Sequence, residues 1–287
     1  LLPEGPDAVL IYGILKIHMR NLFNNYNVVK EVLSLHPFGL FTDVDGTISE
    51  IAPSPGQAHV SPICRESLAT LARRLDVVAA VSGRTAIETK EMVGVDDIIY
   101  IGNHGYERWV GGRIQLMPGI EPYMEWIKAV LADLEKRIDV EGVIFENKGP
   151  TASIHYRRCR NQEGALKAIM AAVEELTAGS DLRISQGRLV VELRPPLEVN
   201  KGTAVLSLME ERRLKGALYL GDDLTDVDVF VAFHREGLPF KGLAVAVIED
   251  ETASQVIKEA DYTLNGVREV ERFLKRAAAE VTGRPAA

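Results

Sequence analysis

The stretch Phe41-Thr42-Asp43-Val44-Asp45-Gly46-Thr47 decides how this chain is read. Gly39-Leu40-Phe41 has the character of a buried central strand, and Asp43 and Asp45 follow just past its carboxyl end, where open α/β sheets gather their ligands. While the backbone stays extended, residues i and i+2 face the same side, so both carboxylates can line one site. Two anions that close repel, and their pKa values rise and split unless a cation is shared between them. Mg2+ is the simplest such cation, a hard ion that takes carboxylate, carbonyl and water oxygens and works on phosphates. The stretch therefore points to phosphoryl chemistry in which one Asp attacks and the other moves a proton. A surface Asp-x-Asp-Gly turn is the plain alternative, since Asp and Gly are ordinary turn residues.

Other apolar runs end in the same manner. Val77 to Val81 leads into Ser82-Gly83-Arg84, where the hydroxyl suits a phosphate oxygen and the glycine lets backbone approach closely; Ser82 as the N-cap of a helix over Ala86 to Met92 is an equally good reading. Ile98 to Ile101 leads into Gly102-Asn103-His104-Gly105, a loop or a substrate contact. Leu218-Tyr219-Leu220 leads into Gly221-Asp222-Asp223-Leu224-Thr225-Asp226, a second acidic cluster that repels itself unless a cation sits within it or a helix begins there. Asn200-Lys201-Gly202 opens a helix over Thr203 to Glu211. A lysine there opposes the helix dipole, so Lys201 is badly placed for stability and well placed for a phosphate.

These strands alternate with helices, as in a parallel sheet with its chemistry along one edge. The texture changes between Pro118 and Leu193. There a helix over Pro122 to Ile138, strands over Val143 to Asn147 and Ala152 to Tyr156, a helix over Asn161 to Thr177, and strands over Leu182 to Ser185 and Arg188 to Leu193 follow, with a turn at Gln186-Gly187. The pattern predicts an inserted α+β domain at 118–193 within an α/β, Rossmann-like core at 37–117 and 194–287. Glu146, Lys148, His155, Arg157 and Glu192 mostly alternate, and they are expected to share the sheet face away from the helices, as a solvated face or as a lid. A hairpin with its turn at Gly111-Gly112 and C-terminal helices over Asp250 to Ala260 and Gly266 to Val281 complete the expected core. Residues 1–36 read as a helical extension: packing helices, an oligomer contact, or in part a stretch upstream of a start at Met19.

Across 287 residues, 46% apolar and 26% charged residues with a net charge of −8 describe a globular chain with ample core. The acidic balance and the lack of clustered Lys and Arg argue against nucleic acid as a partner. No apolar run approaches the length needed to span a bilayer, and Ala8 to Leu15 is too short and too acidic in its flank for a signal peptide. Cys64 and Cys159 are the only cysteines, which suits a reducing, cytoplasmic setting without disulfides or a zinc site.

The order Asp43-Val44-Asp45-Gly46-Thr47, Ser82-Gly83-Arg84, Asn200-Lys201-Gly202 and Gly221-Asp222-Asp223-Leu224-Thr225-Asp226 resembles the four motifs of haloacid dehalogenase-type phosphatases, over residues 38 to about 275. Pro53-Ser54-Pro55, Gly102-Asn103-His104-Gly105, Glu146-Asn147-Lys148, His155-Tyr156-Arg157 and Glu192-Leu193-Arg194-Pro195 are similar to motifs of the trehalose-6-phosphate phosphatase family within that superfamily. The resemblance implies a core with a C2-type cap. It implies Asp43 as nucleophile through an aspartyl-phosphate and Asp45 as acid and then base. Mg2+ would be held by Asp43, the Asp45 carbonyl and Asp222, with Asp226 and Asp223 in or just outside the coordination shell. Ser82, Gly83 and Lys201 would hold the phosphoryl group, and Arg84, Asn103, His104, Glu146, Lys148, Arg157 and Glu192 the substrate. It further implies a small sugar phosphate as substrate, a monomer, and a pathway link to a trehalose-6-phosphate synthase. A different sugar phosphate, such as sucrose 6-phosphate or a mannosyl phosphate, would use the same core, and a catalytically silent sugar-phosphate-binding domain would keep the fold. One departure stands out: the family usually carries Glu after the last Asp of the final motif, where this chain has Val227.

Overall fold

The computed structural model describes residues 20–52, 57–187 and 189–283. Ala8 to Leu15, Met19 and Pro53-Ser54-Pro55 lie outside them. The chain divides into two compact units, one drawn from residues up to Ile114 and from Val199 onward, the other from Gln115–Glu198.

The strands of the first unit, the last of which before the break runs two residues past Ile114, are β1 (Phe38–Thr42), β2 (Val77–Val81), β3 (Ile99–Gly102), β4 (Glu107–Val110), β5 (Arg113–Leu116), β10 (Gly216–Gly221), β11 (Lys241–Ile248) and β12 (Tyr262–Asn265). They form one sheet in the order β12-β11-β10-β1-β2-β3-β4-β5, parallel from β12 through β3 and antiparallel at β4. Chain order reverses between β1 and β10, the switch point at which such sheets open a crevice beyond the strand ends. β1, β2 and β10 are buried along their whole length because helices cover both faces. Alternate residues feed two cores: Leu40, Val78, Ala80 and Leu218 on one side, Phe41, Val77, Ala79 and Tyr219 on the other.

Helices follow the local signals closely. Ser61 caps Pro62–Ala72, and Gly111 and Gly112, both at positive φ, make the β4–β5 turn. Thr85, not Ser82, caps the helix Ala86–Val93, through a reciprocal box with Glu88, which leaves Ser82 outside the helix. Two further corrections concern strands. β12 was not expected; it is a four-residue edge strand wedged between two helical patterns, too short to show a period. In the hairpin of strands Arg183–Gly187 and Val190–Arg194, Gln186 and Gly187 pair with Val191 and Val190, so the strand runs through the expected turn.

Residues 20–33 pack into the core. Leu22, Val29 and Val32 are fully buried, each contributing about 1.5–3 kcal/mol, and Asn21 pairs with Thr263 and donates its amide to Glu269. Residues 20–33, with the helix Asn27–Leu33, are part of the first unit and not an appendage.

The second unit holds the helices Glu121–Arg137 and Gln162–Leu176 and a sheet in the order β6-β7-β9-β8: β6 (Ile144–Asn147), β7 (Ala152–His155), β9 (Val190–Arg194) and β8 (Arg183–Gly187). Ala152, Ile154, Val191 and Leu193 pack on the helices through Ile127, Leu134, Ile169 and Val173. Among the described residues, no helix is long and apolar enough to cross a membrane.

Candidate active site

Register brings the motifs together. Thr42 pairs with Leu220 on one side and Ala80 on the other, and Ala80 pairs with Tyr100. The residues just beyond these pairs are therefore level: Asp43, Ser82, Gly102-Asn103 and Asp222 all leave one edge of the sheet.

At its centre is a buried ion triad. Lys201 Nζ lies 2.6 Å from Asp43 Oδ1 and 2.7 Å from Asp226 Oδ1, with all three side chains almost wholly buried. Lys201 is the first residue of its helix, with Asn200 as the cap, and the two carboxylates compensate the unfavourable dipole. Burial alone would strip its proton; Asp226 and Asp43 outweigh burial and hold the ammonium charged. Asp226 is saturated: Oδ1 also accepts from the Tyr219 hydroxyl at 2.6 Å, and Oδ2 from the backbone N–H groups of Asp222 and Asp223 at 3.0 Å each. A carboxylate offers roughly four acceptor positions, so Asp226 serves as the anchor behind Lys201 and has little left for a metal.

Asp222 is the half-buried end of the cluster, and Asp43 is buried beside it. With Asp226 they offer oxygens within 4.8 Å of one another, facing a single ammonium. Burial, opposed by Lys201 and reinforced by Asp226 and Asp222, pushes Asp43 well above the usual carboxylate range. Burial and Asp226 push Asp222 up to about 7, although the Thr47 hydroxyl donates to its Oδ1 at 2.9 Å. Carboxylates crowded beyond what one lysine neutralises fit a hard divalent cation, with Asp43, Asp222 and a backbone oxygen as donors. Gly46 makes that approach possible: its φ is 84°, and a Cβ there would sit 2.1 Å from Asp222 Oδ2.

Asp45 faces a different partner. The Arg84 guanidinium donates from Nε to Oδ2 and from Nη2 to Oδ1, both at 2.7 Å, a bidentate pair. Ser82 is buried, and its Oγ accepts from the Arg84 N–H at 3.1 Å. Gly83 lies against His104, whose ring would be 2.7 Å from a Cβ at that position. Asn103 and His104 both adopt left-handed backbone, at φ 49° and 57°. Val227, where the family usually has Glu, is buried in the core formed with Tyr219 and Phe230, so the position faces away from the acidic cluster.

In the second unit, Glu146, Ser153, Glu192 and Ser185 form one cross-strand row on the face opposite the helices. Lys148 Nζ lies 3.7 Å from Glu146 and 3.9 Å from Glu192, His155 Nε2 lies 2.9 Å from Glu146 Oε2, and Arg194 pairs with Glu192. Arg157 falls outside the row, in the exposed turn after β7. Sequence reasoning missed Tyr219, Thr47 and Glu107; for Tyr219 the signal was available, since a tyrosine in a buried strand normally needs a partner for its hydroxyl.

A parallel sheet of this order, with paired acids past β1, a lysine at a helix start and an acidic anchor past β10, defines the class of haloacid dehalogenase-like hydrolases. One such hydrolase from Bacteroides thetaiotaomicron superposes with a TM-score of 0.60. Residues 41–268 match the trehalose-phosphatase family, and the chain belongs to it. It is 31% identical over 261 residues to the probable trehalose-phosphate phosphatase 3 of Oryza sativa subsp. japonica, covering 83% of this chain and 68% of that protein. It is 30% identical over 254 residues to the trehalose-phosphate phosphatase of Mycobacterium tuberculosis strain H37Rv, covering 86% of this chain; the chain spans 62% of that relative's length. In fold it is similar to the C-terminal domain of C. albicans trehalose-6-phosphate phosphatase, with a TM-score of 0.72 at 21% identity over 90% of this chain and 98% of that one.

Proposed function

We propose that this protein is a phosphatase that hydrolyses trehalose 6-phosphate to trehalose and phosphate through an aspartyl-phosphate at Asp43, with Mg2+ as its cofactor. The observation that carries the reading is the contact of Asp43 Oδ1 with Lys201 Nζ at 2.6 Å, in a buried acidic cluster with Asp222. Lys201 neutralises both the attacking carboxylate and the incoming phosphoryl oxygens. Asp43 attacks phosphorus as the bond to the sugar oxygen breaks; that oxygen takes its proton from Asp45. Asp45 then accepts a proton from water as the water displaces Asp43 from phosphorus. Arg84 orients the Asp45 carboxylate, and Ser82 and the Gly83 backbone hold phosphoryl oxygens. When bound, by Asp43, Asp222 and the Asp45 carbonyl, Mg2+ supplies charge that offsets the phosphate and the carboxylates.

We assign recognition of the sugar to Glu146, Lys148, Glu192 and Arg157 in the second unit, and to Arg84, Asn103 and His104 in the first. Family membership and the mutual pairing of Glu146, Lys148 and Glu192 support this assignment. Phosphate release from trehalose 6-phosphate, sucrose 6-phosphate, glucose 6-phosphate and a mannosyl phosphate, each with Mg2+ and with EDTA, tests the reading. Selective release from trehalose 6-phosphate, abolished by EDTA, is expected; no release from any of them would overturn it.

A further inference from the structure

We propose that Glu107 is a positioning residue that sets the geometry of the phosphate-facing turn Ser82-Gly83-Arg84, an inference that rests on the phosphatase reading above. Glu107 opens β4, is only 8% exposed, and belongs to none of the motifs. Its Oε1 accepts the N–H of Ala86, the first residue of the helix after Arg84, at 2.7 Å, and its carboxylate also accepts from the Asn103 side chain. One buried carboxylate thus joins two segments that both border the reaction centre.

The joint continues through the backbone. Asn103 N–H donates to the Arg84 carbonyl at 2.7 Å and His104 N–H to the Ser82 carbonyl at 3.0 Å. Two successive non-glycine residues in left-handed backbone are unfavourable and persist only when their surroundings impose them. Here Glu107 holds the Asn103 amide, and the resulting bend lays the His104 ring on Gly83. Gly102 makes the same point independently: a Cβ there would lie 2.2 Å from the Ala86 nitrogen, so the loop is clamped directly on the helix start. Desolvation raises the Glu107 pKa, opposed by the Ala86 and Asn103 hydrogen bonds. Glu107 touches no reacting atom; it acts through the turn that holds the phosphoryl oxygens and through Arg84, which orients Asp45.

The test compares wild type with Glu107→Gln, Glu107→Ala and Asn103→Gly, well below the melting temperature of each. Asn103→Gly removes the amide that Glu107 holds while easing the positive φ. The readouts are KM and kcat for trehalose 6-phosphate and the inhibition constant of orthovanadate, which probes the phosphate site without the sugar. Glu107→Ala is expected to weaken vanadate about tenfold and to raise KM more than it lowers kcat. Asn103→Gly should shift both the same way, and Glu107→Gln, which keeps an acceptor for Ala86, should stay within about threefold of wild type. Melting temperatures that fall while KM, kcat and vanadate inhibition stay at wild-type values in Glu107→Ala and Asn103→Gly would overturn the inference. If Glu107→Ala does not fold, vanadate inhibition of Asn103→Gly decides it, because vanadate carries no sugar for Asn103 to contact. A wild-type chain that releases no phosphate would instead sink the phosphatase reading, and this inference with it.

Discussion

Lys201 Nζ and Asp226 Oδ1 lie 2.7 Å apart, both buried, one opening a helix and the other in the first turn of the helix after β10. The pair is a support for the reaction centre: Asp226 anchors the ammonium, and the ammonium reaches forward to Asp43. Removing the anchor therefore costs more than one ion pair. In Asp226→Ala the Tyr219 hydroxyl and two backbone N–H groups lose their acceptor, and Lys201 keeps Asp43 alone. Breaking such a buried pair costs about 3–5 kcal/mol. Urea denaturation without metal should show a loss of that size, together with loss of turnover; a loss below about 1 kcal/mol would contradict the anchoring role.

Asp43→Asn keeps the shape of the nucleophile and removes its charge. Turnover should fall by about three orders of magnitude or more, as when other catalytic nucleophiles are removed. Binding of trehalose 6-phosphate, measured by calorimetry, should persist, because the phosphate-holding groups are untouched. Phosphate release at the wild-type rate would remove Asp43 from the nucleophile role.

The acidic cluster makes metal binding pH-dependent. The Asp222 pKa is raised from 3.8 to about 7, first by burial and then by Asp226. Between those values the folded, metal-free protein carries a proton that the unfolded chain does not. This group's contribution to stability is therefore fully present below its ordinary pKa and is lost progressively as pH rises from there through about 7. A metal must displace that proton, so apparent Mg2+ affinity should fall about tenfold per pH unit below about 7. Titrating Mg2+ against thermal stability at several pH values checks this, and in Asp222→Asn most of the affinity and its pH slope should disappear together.

Gly46→Ala is expected to injure the site through the backbone. Its φ of 84° disfavours any side chain, and the new Cβ would meet Asp222 Oδ2 at 2.1 Å. Strain of about 1–3 kcal/mol should appear in denaturation curves, with Mg2+ affinity falling by at least as much in proportion. Unchanged Mg2+ affinity would mean that Asp222 does not hold the ion.

Glu146 pairs with His155 and Lys148 on the polar face of the second unit. Glu146→Ala should reduce kcat/KM for trehalose 6-phosphate by about 1–3 kcal/mol of transition-state stabilisation, because its polar partners lose their match to the sugar. Hydrolysis of a small aryl phosphate should be nearly unaffected. Equal losses on both substrates would show that Glu146 does not read the sugar.

Much of this was legible along the chain because strong signals are local. A buried parallel strand is a short apolar run whatever it pairs with, so β1, β2 and β10 stand out from Phe41, Val77 and Leu218. Carboxylates two residues apart beyond a strand need no neighbour to look reactive, and Asp43 and Asp45 were read that way. The edge strand β12 escaped because four residues are too few to carry a period. Ser82 was a fair candidate for a helix cap until Thr85 and Glu88 formed the box instead.

By itself, the sequence determined the motifs, the alternation of strand and helix, the break in texture that marks the second unit, and the family. Those are properties of residues near one another in the chain. The tertiary structure decided which partner each charge has: Lys201 with Asp43 across 158 positions, Arg84 with Asp45, Tyr219 beneath Asp226, and Glu107 between Ala86 and Asn103. Such pairings follow from strand order and register, set when distant segments bury their apolar faces against one another, and no local pattern encodes them.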